Sequence, residues 1–101
     1  MAEEKAKNPL AELDQVIHAP SRLNIVTNLY VVKSADFIFL RNLTGLTWGN
    51  LSAHLSKLEK AGYVEIEKTI VNKKTHSVAA LTEKGRAAFE EYKSKMKEVL
   101  K

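Results

Sequence analysis

The stretch Leu46-Thr-Trp-Gly-Asn-Leu-Ser-Ala-His-Leu-Ser-Lys-Leu-Glu-Lys-Ala-Gly-Tyr-Val64 predicts one amphipathic helix and the start of a strand. Thr47 is a good N-cap, because its hydroxyl can accept a hydrogen bond from an amide of the first turn. Three leucines then recur at i, i+4 and i+7, which places them on one helix face: Leu51, Leu55 and Leu58. Gly62 ends the helix, and the hydrophobic period becomes alternating after it. We therefore predict a helix from Thr47 to about Ala61.

A shorter helix precedes this one. The segment Ser34–Asp36 supplies capping residues for a helix that ends near Thr44, and Gly45 suits the left-handed end of that helix. Two short helices joined by a tight turn that contains glycine form a helix-turn-helix. Upstream, a helix from Pro20 to about Lys33 is apolar on two faces, so we expect it to be central.

A hairpin with a basic tip follows the pair of helices. Alternation over 63–70 predicts a strand, the polar segment Asn72–Thr75 predicts a turn, and Ser77–Leu81 predicts the returning strand. A helix-turn-helix followed directly by such a hairpin is the plan of a winged helix. The predicted fold class is α+β and mostly helical, with a two-stranded wing and terminal dimerisation helices.

Helical patterns also occupy both ends of the chain. Residues 1–8 are expected to form a flexible polar leader, and 9–101 a winged-helix domain. A helix is predicted from Pro9 to the break before Pro20, and Thr82 caps a final helix over 82–101. Part of the stripe on the final helix can cover the chain's own core, but the portion beyond Tyr92 extends past it, which predicts a two-fold homodimer through the terminal helices; the alternative is a monomer whose last turn frays. The predicted dimer interface comprises Leu10, Leu13, Ile17, Phe89, Tyr92, Met96 and Val99.

The composition is that of one small soluble domain. The chain has 101 residues, 45% of them hydrophobic and 28% charged, and no cysteine, which excludes disulfides and thiolate chemistry. The net charge of +4 suits a nucleic-acid partner but also suits plain solubility. No apolar run approaches the roughly 20 residues that span a bilayer, and the first residues lack a signal-peptide pattern. We expect a cytoplasmic protein that does not bind membranes.

The outer face of the helix over 47–61 is the candidate DNA-reading surface. Amides and hydroxyls there can bond base edges, and lysines can bind phosphate or guanine. The lysines of the hairpin can reach phosphates or the minor groove. The plainer alternatives are a solvated helix face, a hairpin edge protected by lysine, and a tryptophan that packs at the helix start. The predicted DNA-binding residues are Thr47, Trp48, Asn50, Ser52, Ala53, Ser56, Lys57, Lys73 and Lys74.

Catalytic and metal-binding patterns are missing from the sequence. The histidines His18, His54 and His76 fall in separate elements, at spacings that do not fit a metal site. There is no glycine-rich phosphate loop and no nucleophile elbow. We expect no enzyme, metal or cofactor, and we expect His54, at the edge of the leucine stripe, to be half-buried and hydrogen-bonded.

Six segments of the sequence form a recognisable pattern at their mutual spacing: Gly49–Ser52, His54-Leu55, Leu58-Glu59, Ala61–Val64, His18–Leu23 and Leu81–Arg86. This pattern resembles small winged-helix transcriptional regulators of the ArsR- and MarR-like group. The resemblance implies a homodimer that binds operator DNA, with the helix over 47–61 in the major groove and the wing over 68–77 flanking it. The alternative is a winged helix that binds another protein, which Ala53 and the modest basicity of the helix favour. No effector domain is visible, and a small-molecule effector that binds at a dimer interface is left open.

Overall fold

Four α-helices, three strands and one short 3-10 helix make up the regular structure of residues 9–101, which are the residues that the computed structural model describes. Their order confirms the predicted winged-helix class, and the predicted leader over 1–8 lies outside the described residues. No helix within 9–101 combines the length and apolarity needed to cross a membrane. The elements are α1 (Pro20–Val32), β1 (Ser34–Asp36), α2 (Phe37–Thr44), α3 (Trp48–Lys60), β2 (Val64–Val71), β3 (Lys74–Leu81) and α4 (Glu83–Val99).

The helix-turn-helix forms through the caps predicted from the sequence. The Asp36 carboxylate accepts a hydrogen bond of 2.8 Å from the Phe39 amide at the start of α2. Gly45 ends α2 in the left-handed conformation, with φ of 73°. The Thr47 hydroxyl then accepts a bond of 3.1 Å from the Asn50 amide and begins α3. These local contacts fix the turn between the two helices.

The sheet has three strands, in the order β1-β3-β2, with both pairings antiparallel. The sequence predicted the two strands of the wing, β2 and β3, but not the third strand, in which Ser34 to Asp36 pair with Ala80 to Val78. The predicted turn was too long. Asn72 and Lys73 alone make the turn, with φ of 52° and 66°, so that β3 begins at Lys74. Positive φ at both central residues matches the right-handed twist of a hairpin.

The hydrophobic core surrounds α1, as its two apolar faces predicted. Residues from every helix and from the base of the wing meet there, and none of the core side chains is more than 5% exposed. Besides Ile17 from the N-terminal segment, the core contains Ile25, Val26, Leu29, Leu40, Leu51, Leu55, Leu58, Val64, Ala79, Phe89 and Tyr92.

The predicted N-terminal α-helix is not formed, which corrects the sequence analysis. A 3-10 helix covers Pro9–Glu12, and turns follow. The Asp14 carboxylate accepts bonds of 2.9 and 3.2 Å from the amides of Val16 and Ile17, so it stabilises a local turn that competes with helix. Ile17 is still fully buried. Leu13 is buried as well, but Leu10 is 48% exposed, so the helical spacing indicates neither the burial of all three side chains nor the backbone conformation.

Three side-chain contacts hold this segment against the body of the protein. His18 Nδ1 and the Tyr92 hydroxyl share a hydrogen bond of 2.8 Å. The Tyr63 hydroxyl donates to the Asp14 carboxylate, and burial together with that carboxylate raises the pKa of Tyr63 to about 12. Lys95 Nζ donates to the Glu12 carbonyl over 3.2 Å. The segment therefore links α4 to the residues that leave α3.

A tight joint connects the end of α3 to the start of α4. The Thr82 hydroxyl donates to the Gly62 carbonyl over 2.6 Å and accepts from the Gly85 amide over 2.9 Å. The Thr82 amide also donates to the Tyr63 carbonyl over 3.0 Å. A Cβ on Gly85 would overlap the Tyr63 carbonyl oxygen, so this close approach requires glycine.

Candidate nucleic-acid interface

Helix α3 presents a polar face opposite its three buried leucines. Asn50, Ser52, Ala53 and Lys57 are exposed, while Ser56 is half-buried. The leucines are fully enclosed, so the rotation of α3 about its axis is set by the core. The five predicted residues of this face are brought together on one side of the helix, with an amide, hydroxyls, a methyl group and an ammonium available to a partner.

His54 is half-buried and hydrogen-bonded, as predicted. The guanidinium of Arg22 has no acceptor atoms, so its Nη1 donates to His54 Nδ1, over 3.2 Å. Burial lowers the pKa of His54, and the positive charges of Arg22 and Lys57 lower it further. The same guanidinium donates from Nε to the Val16 carbonyl over 2.6 Å. Arg22, which the sequence analysis missed, thus ties the N-terminal segment to α3.

Trp48 opens α3 and is 50% exposed. The Arg41 guanidinium carbon lies 4.9 Å from the centre of its ring, within the range of a cation–π contact. The sequence left two roles open for Trp48, packing or nucleic-acid stacking. Half of its surface remains available to a ligand. Arg41, which comes from α2, was not among the predicted site residues, because the turn between α2 and α3 separates it from Trp48 and a sequence pattern does not give the angle between two helices.

The wing presents its lysines at the tip. Lys73 occupies the turn, Lys74 begins β3, and both are exposed. Lys68 pairs with Ser77 farther down the hairpin and is also exposed. The Ile70 side chain near the tip is largely exposed too. The tip therefore combines cationic groups with an uncovered apolar side chain.

The seven predicted dimer residues separate into two groups. Leu13, Ile17, Phe89 and Tyr92 are buried in the core of their own protomer, which leaves little of their surface for a second copy. They are buried because α4 packs on α1 and on the N-terminal segment. Met96, Val99 and Leu10 keep surface that is not enclosed.

A shallow apolar groove runs beside the end of α4. It encloses about 310 Å³, and its walls include Leu23, Met96 and Leu100, with the rims of Phe89 and Tyr92 at its floor. Leu23 and Leu100 were not predicted as interface residues. Leu100 stands just beyond α4 and is strongly exposed.

The described part of the chain presents no candidate metal site. Within residues 9–101, no group of three or more histidine, cysteine or acidic side chains is arranged to hold a metal ion. The chemistry that the geometry does present is hydrogen bonding and positive charge on α3 and on the wing. Such a surface, on a helix-turn-helix with a wing, defines the class of winged-helix DNA-binding proteins.

Comparison with known proteins gives the family. Residues 21–100 match the family model of the winged helix DNA-binding domain, and the chain belongs to that family. It is 35% identical over 78 residues to an uncharacterised protein of Methanocaldococcus jannaschii, covering 77% of this chain and 85% of the relative. The family membership confirms the predicted resemblance to winged-helix regulators.

Solved structures agree with this assignment. A transcriptional regulator homologue from Pyrococcus horikoshii OT3 superposes with a TM-score of 0.85 at 29% identity, over 91% of this chain and 93% of that one. NadR in complex with 4-hydroxyphenylacetate gives a TM-score of 0.70 at 20% identity, over 99% and 81%. An ArsR family transcriptional regulator gives 0.64 at 17%, over 92% and 97%. The last two likenesses show the fold alone.

Proposed function

We propose that the protein is a transcriptional regulator that binds double-stranded DNA sequence-specifically as a homodimer, with the helix over 47–61 in the major groove. The observation that carries this proposal is the outer face of α3. Its direction is set by three fully buried leucines, and the exposed side chains are those that bond base edges.

Base recognition falls to the first two turns of α3. The Asn50 amide can bond adenine N6 and N7 together, the Ser52 hydroxyl suits several base edges, and the Ala53 methyl can contact the thymine methyl. All three side chains are exposed. Thr47 and Ser56 flank them, and Lys57 is available for phosphate or guanine. Residues near the start of a recognition helix are those that reach base edges in helix-turn-helix proteins.

The wing over 68–77 supplies contacts that do not depend on sequence. Lys73 and Lys74 are exposed at its tip and bind the flanking backbone or the minor groove. Lysine acts there as a point charge, without the planar fork of arginine. The wing therefore contributes affinity and salt dependence, and the base contacts of α3 contribute specificity.

A second copy covers the apolar groove at the end of α4 in this proposal. Met96, Leu100 and Leu23 would pack against their symmetry mates, with Val99 beside them. A two-fold axis near these residues presents two copies of α3 to half-sites about one DNA turn, roughly 34 Å, apart. Such a dimer binds one face of an operator.

The proposal is tested by titrating two duplexes, the DNA upstream of the protein's own gene and a scrambled control, at two salt concentrations. We expect tighter, salt-sensitive binding to the upstream fragment. Asn50→Ala should lose affinity for that fragment by about 1–3 kcal/mol and leave the scrambled duplex unaffected. Changing Lys73 and Lys74 to glutamine should weaken both duplexes equally. Equal losses on both duplexes from Asn50→Ala would contradict base reading by α3.

The dimer is tested by sedimentation equilibrium of Met96→Glu and Leu100→Glu. A buried carboxylate should shift each variant toward monomer. Val31→Glu is the matched control, because Val31 is also strongly exposed but does not line the groove. Variants that remain dimeric would show that the groove is not the interface.

An interaction with another protein is the second candidate, favoured by the outer face of α2. Ile38, Phe39 and Leu43 are between 40% and 49% exposed there. Absence of binding to either duplex at low salt would rule out the DNA proposal and make this face the first surface to mutate.

A further inference from the structure

A groove separates the helix-turn-helix from the wing. It encloses about 310 Å³ between the first residues of α2, Trp48 at the start of α3, and β3 from Lys74 to Ser77. Its polar wall consists of an ammonium, an imidazole and two hydroxyls, and no acidic residue lines it. Phe37 and Ile38 form the opposite, apolar wall. The groove thus matches a ligand that is anionic on one side and apolar on the other.

Arg41 is stacked on Trp48, which lines this groove. Both side chains are exposed, and the guanidinium carbon is 4.9 Å from the ring centre. Within residues 9–101 the ion pairs lie on or just beyond α4, so no carboxylate of the described chain neutralises Arg41. The ring restricts the guanidinium without using its N–H donors, which remain available to an anion.

The other two arginines are occupied differently. Arg22 donates to the carbonyl of Val16 and to His54. Arg86 lies 4.8 Å from the Tyr30 ring centre, on the side of α1 that faces α4. Arg41 is therefore the arginine that stands beside the predicted DNA-reading helix with its donors free.

We propose that Arg41 and Trp48 form a binding site for one strand of the DNA backbone, which runs through this groove. Arg41 binds a phosphate bidentately, and the exposed Trp48 ring packs on the adjacent deoxyribose. This inference rests on the proposed function. A strand that passes from the major groove at α3 to the wing must cross the space between Trp48 and Lys74. The site adds a contact from α2, so that three elements position the protein on the duplex.

The assignment is tested by the salt dependence of duplex binding for wild type, Arg41→Gln and Arg86→Gln. Each phosphate contact contributes about 0.9 to the slope of log K against log [salt]. Arg41→Gln should therefore lower the slope by about 0.9 per bound protomer. Extrapolated from 1 M to 0.1 M salt, that slope means a loss of about eightfold in affinity per protomer. Upstream and scrambled duplexes should be affected alike. Arg86→Gln removes the same charge and the same kind of stacking elsewhere, and should leave the slope unchanged.

Trp48 gives a second readout, because it is the only tryptophan of the chain. Its fluorescence should change when wild type binds DNA. Trp48→Ala should weaken binding, and Trp48→Ala combined with Arg41→Gln should lose less than the sum of the single losses, because the ring acts partly by orienting the guanidinium. Additive losses would overturn that coupling.

The failures of the two proposals are distinguishable. If wild type and Arg86→Gln bind DNA and Arg41→Gln keeps the wild-type slope, the backbone site is overturned and the proposed function stands. If wild type binds neither duplex at low salt, both are overturned. Circular dichroism of each variant establishes that the compared proteins are folded.

Discussion

Replacing Gly85 with alanine tests the joint that sets α4 against the end of α3. The new Cβ would overlap the Tyr63 carbonyl oxygen and lie 2.9 Å from its carbon and 3.0 Å from Leu81 Cδ1. Backbone cannot move aside as a flexible side chain can. The start of α4 must therefore move away from Tyr63, which lengthens the bonds from Thr82 to the Tyr63 and Gly62 carbonyls, now 3.0 and 2.6 Å.

The magnitude follows from those contacts. Two weakened hydrogen bonds cost about 1 kcal/mol each, and displaced packing around Leu81 costs about 1–2 kcal/mol. The higher helix propensity of alanine relative to glycine offsets about 1 kcal/mol of this loss in stability. The net loss in the free energy of unfolding is about 2–3 kcal/mol, which lowers the melting temperature by roughly 10–20 °C in a domain of this size.

Thermal unfolding followed by circular dichroism measures the effect, and Gly49→Ala is its matched control. Gly49 also lies in the first turn of a threonine-capped helix, but a Cβ there meets nothing within 4 Å. Gly49→Ala should be neutral or slightly stabilising. The explanation fails if Gly85→Ala has the melting temperature of wild type, or if Gly85→Ala and Gly49→Ala are destabilised equally.

Three further predictions concern the wing and the titrating side chains. Lys73→Gly should raise the free energy of unfolding, measured in urea, by about 1 kcal/mol, because it removes a lysine held in the left-handed conformation with φ of 66°. The same variant should bind every duplex more weakly, because it loses a positive charge. Unchanged binding would show that Lys73 touches no phosphate. The pKa of His54 is lowered by burial and by Arg22 and Lys57, so the unfolded chain binds more protons and wild-type stability should fall as pH drops below about 6.5. That part of the pH dependence should be missing from His54→Gln. Burial and hydrogen bonding raise the pKa of Tyr63 to about 12, so its stabilisation is complete below about pH 10 and is lost as pH rises through 12; Tyr63→Phe should remove the step near 12 from an absorbance titration of the tyrosines.

Features determined by nearby residues could be predicted from the sequence. Helix α3 was predicted because its cap, Thr47, its leucine stripe and its glycine stop lie within 16 residues of one another. The helix before it was predicted for the same reason, from Asp36 and Gly45. The exposed face of α3 followed directly, since burial of the leucines determines which side chains remain outside.

Features determined by distant residues could not. Strand β1 has three residues and no period of its own, and it becomes a strand because Ala79 and its neighbours lie beside it. The N-terminal segment has a helical apolar spacing, but side chains far along the chain hold it in place: Tyr63 bonds Asp14, Tyr92 bonds His18 and Lys95 bonds Glu12. Both outcomes depend on contacts that a local pattern does not contain.

In the candidate site, too, features set by nearby residues could be predicted and features set by the packing of separate elements could not. The direction of Asn50 was predictable, whereas the stacking of Arg41 on Trp48 depends on how α2 crosses α3. The stripe of Phe89 and Tyr92 was assigned to a second copy because a sequence does not distinguish a protomer's own core from an interface. In the structure both side chains belong to the protomer's own core.

The anchored N-terminal segment has a consequence for where the folding unit begins. The family match starts at residue 21, yet Leu13 and Ile17 are at most 3% exposed, and Tyr63 and Tyr92 bond partners in the same segment. A chain cut to begin at Ser21 would keep the whole helix-turn-helix and wing, but it would open a cavity beside Tyr92 and leave two tyrosine hydroxyls without those partners. The smallest autonomous unit therefore extends upstream of the region that family resemblance marks, at least to Leu13.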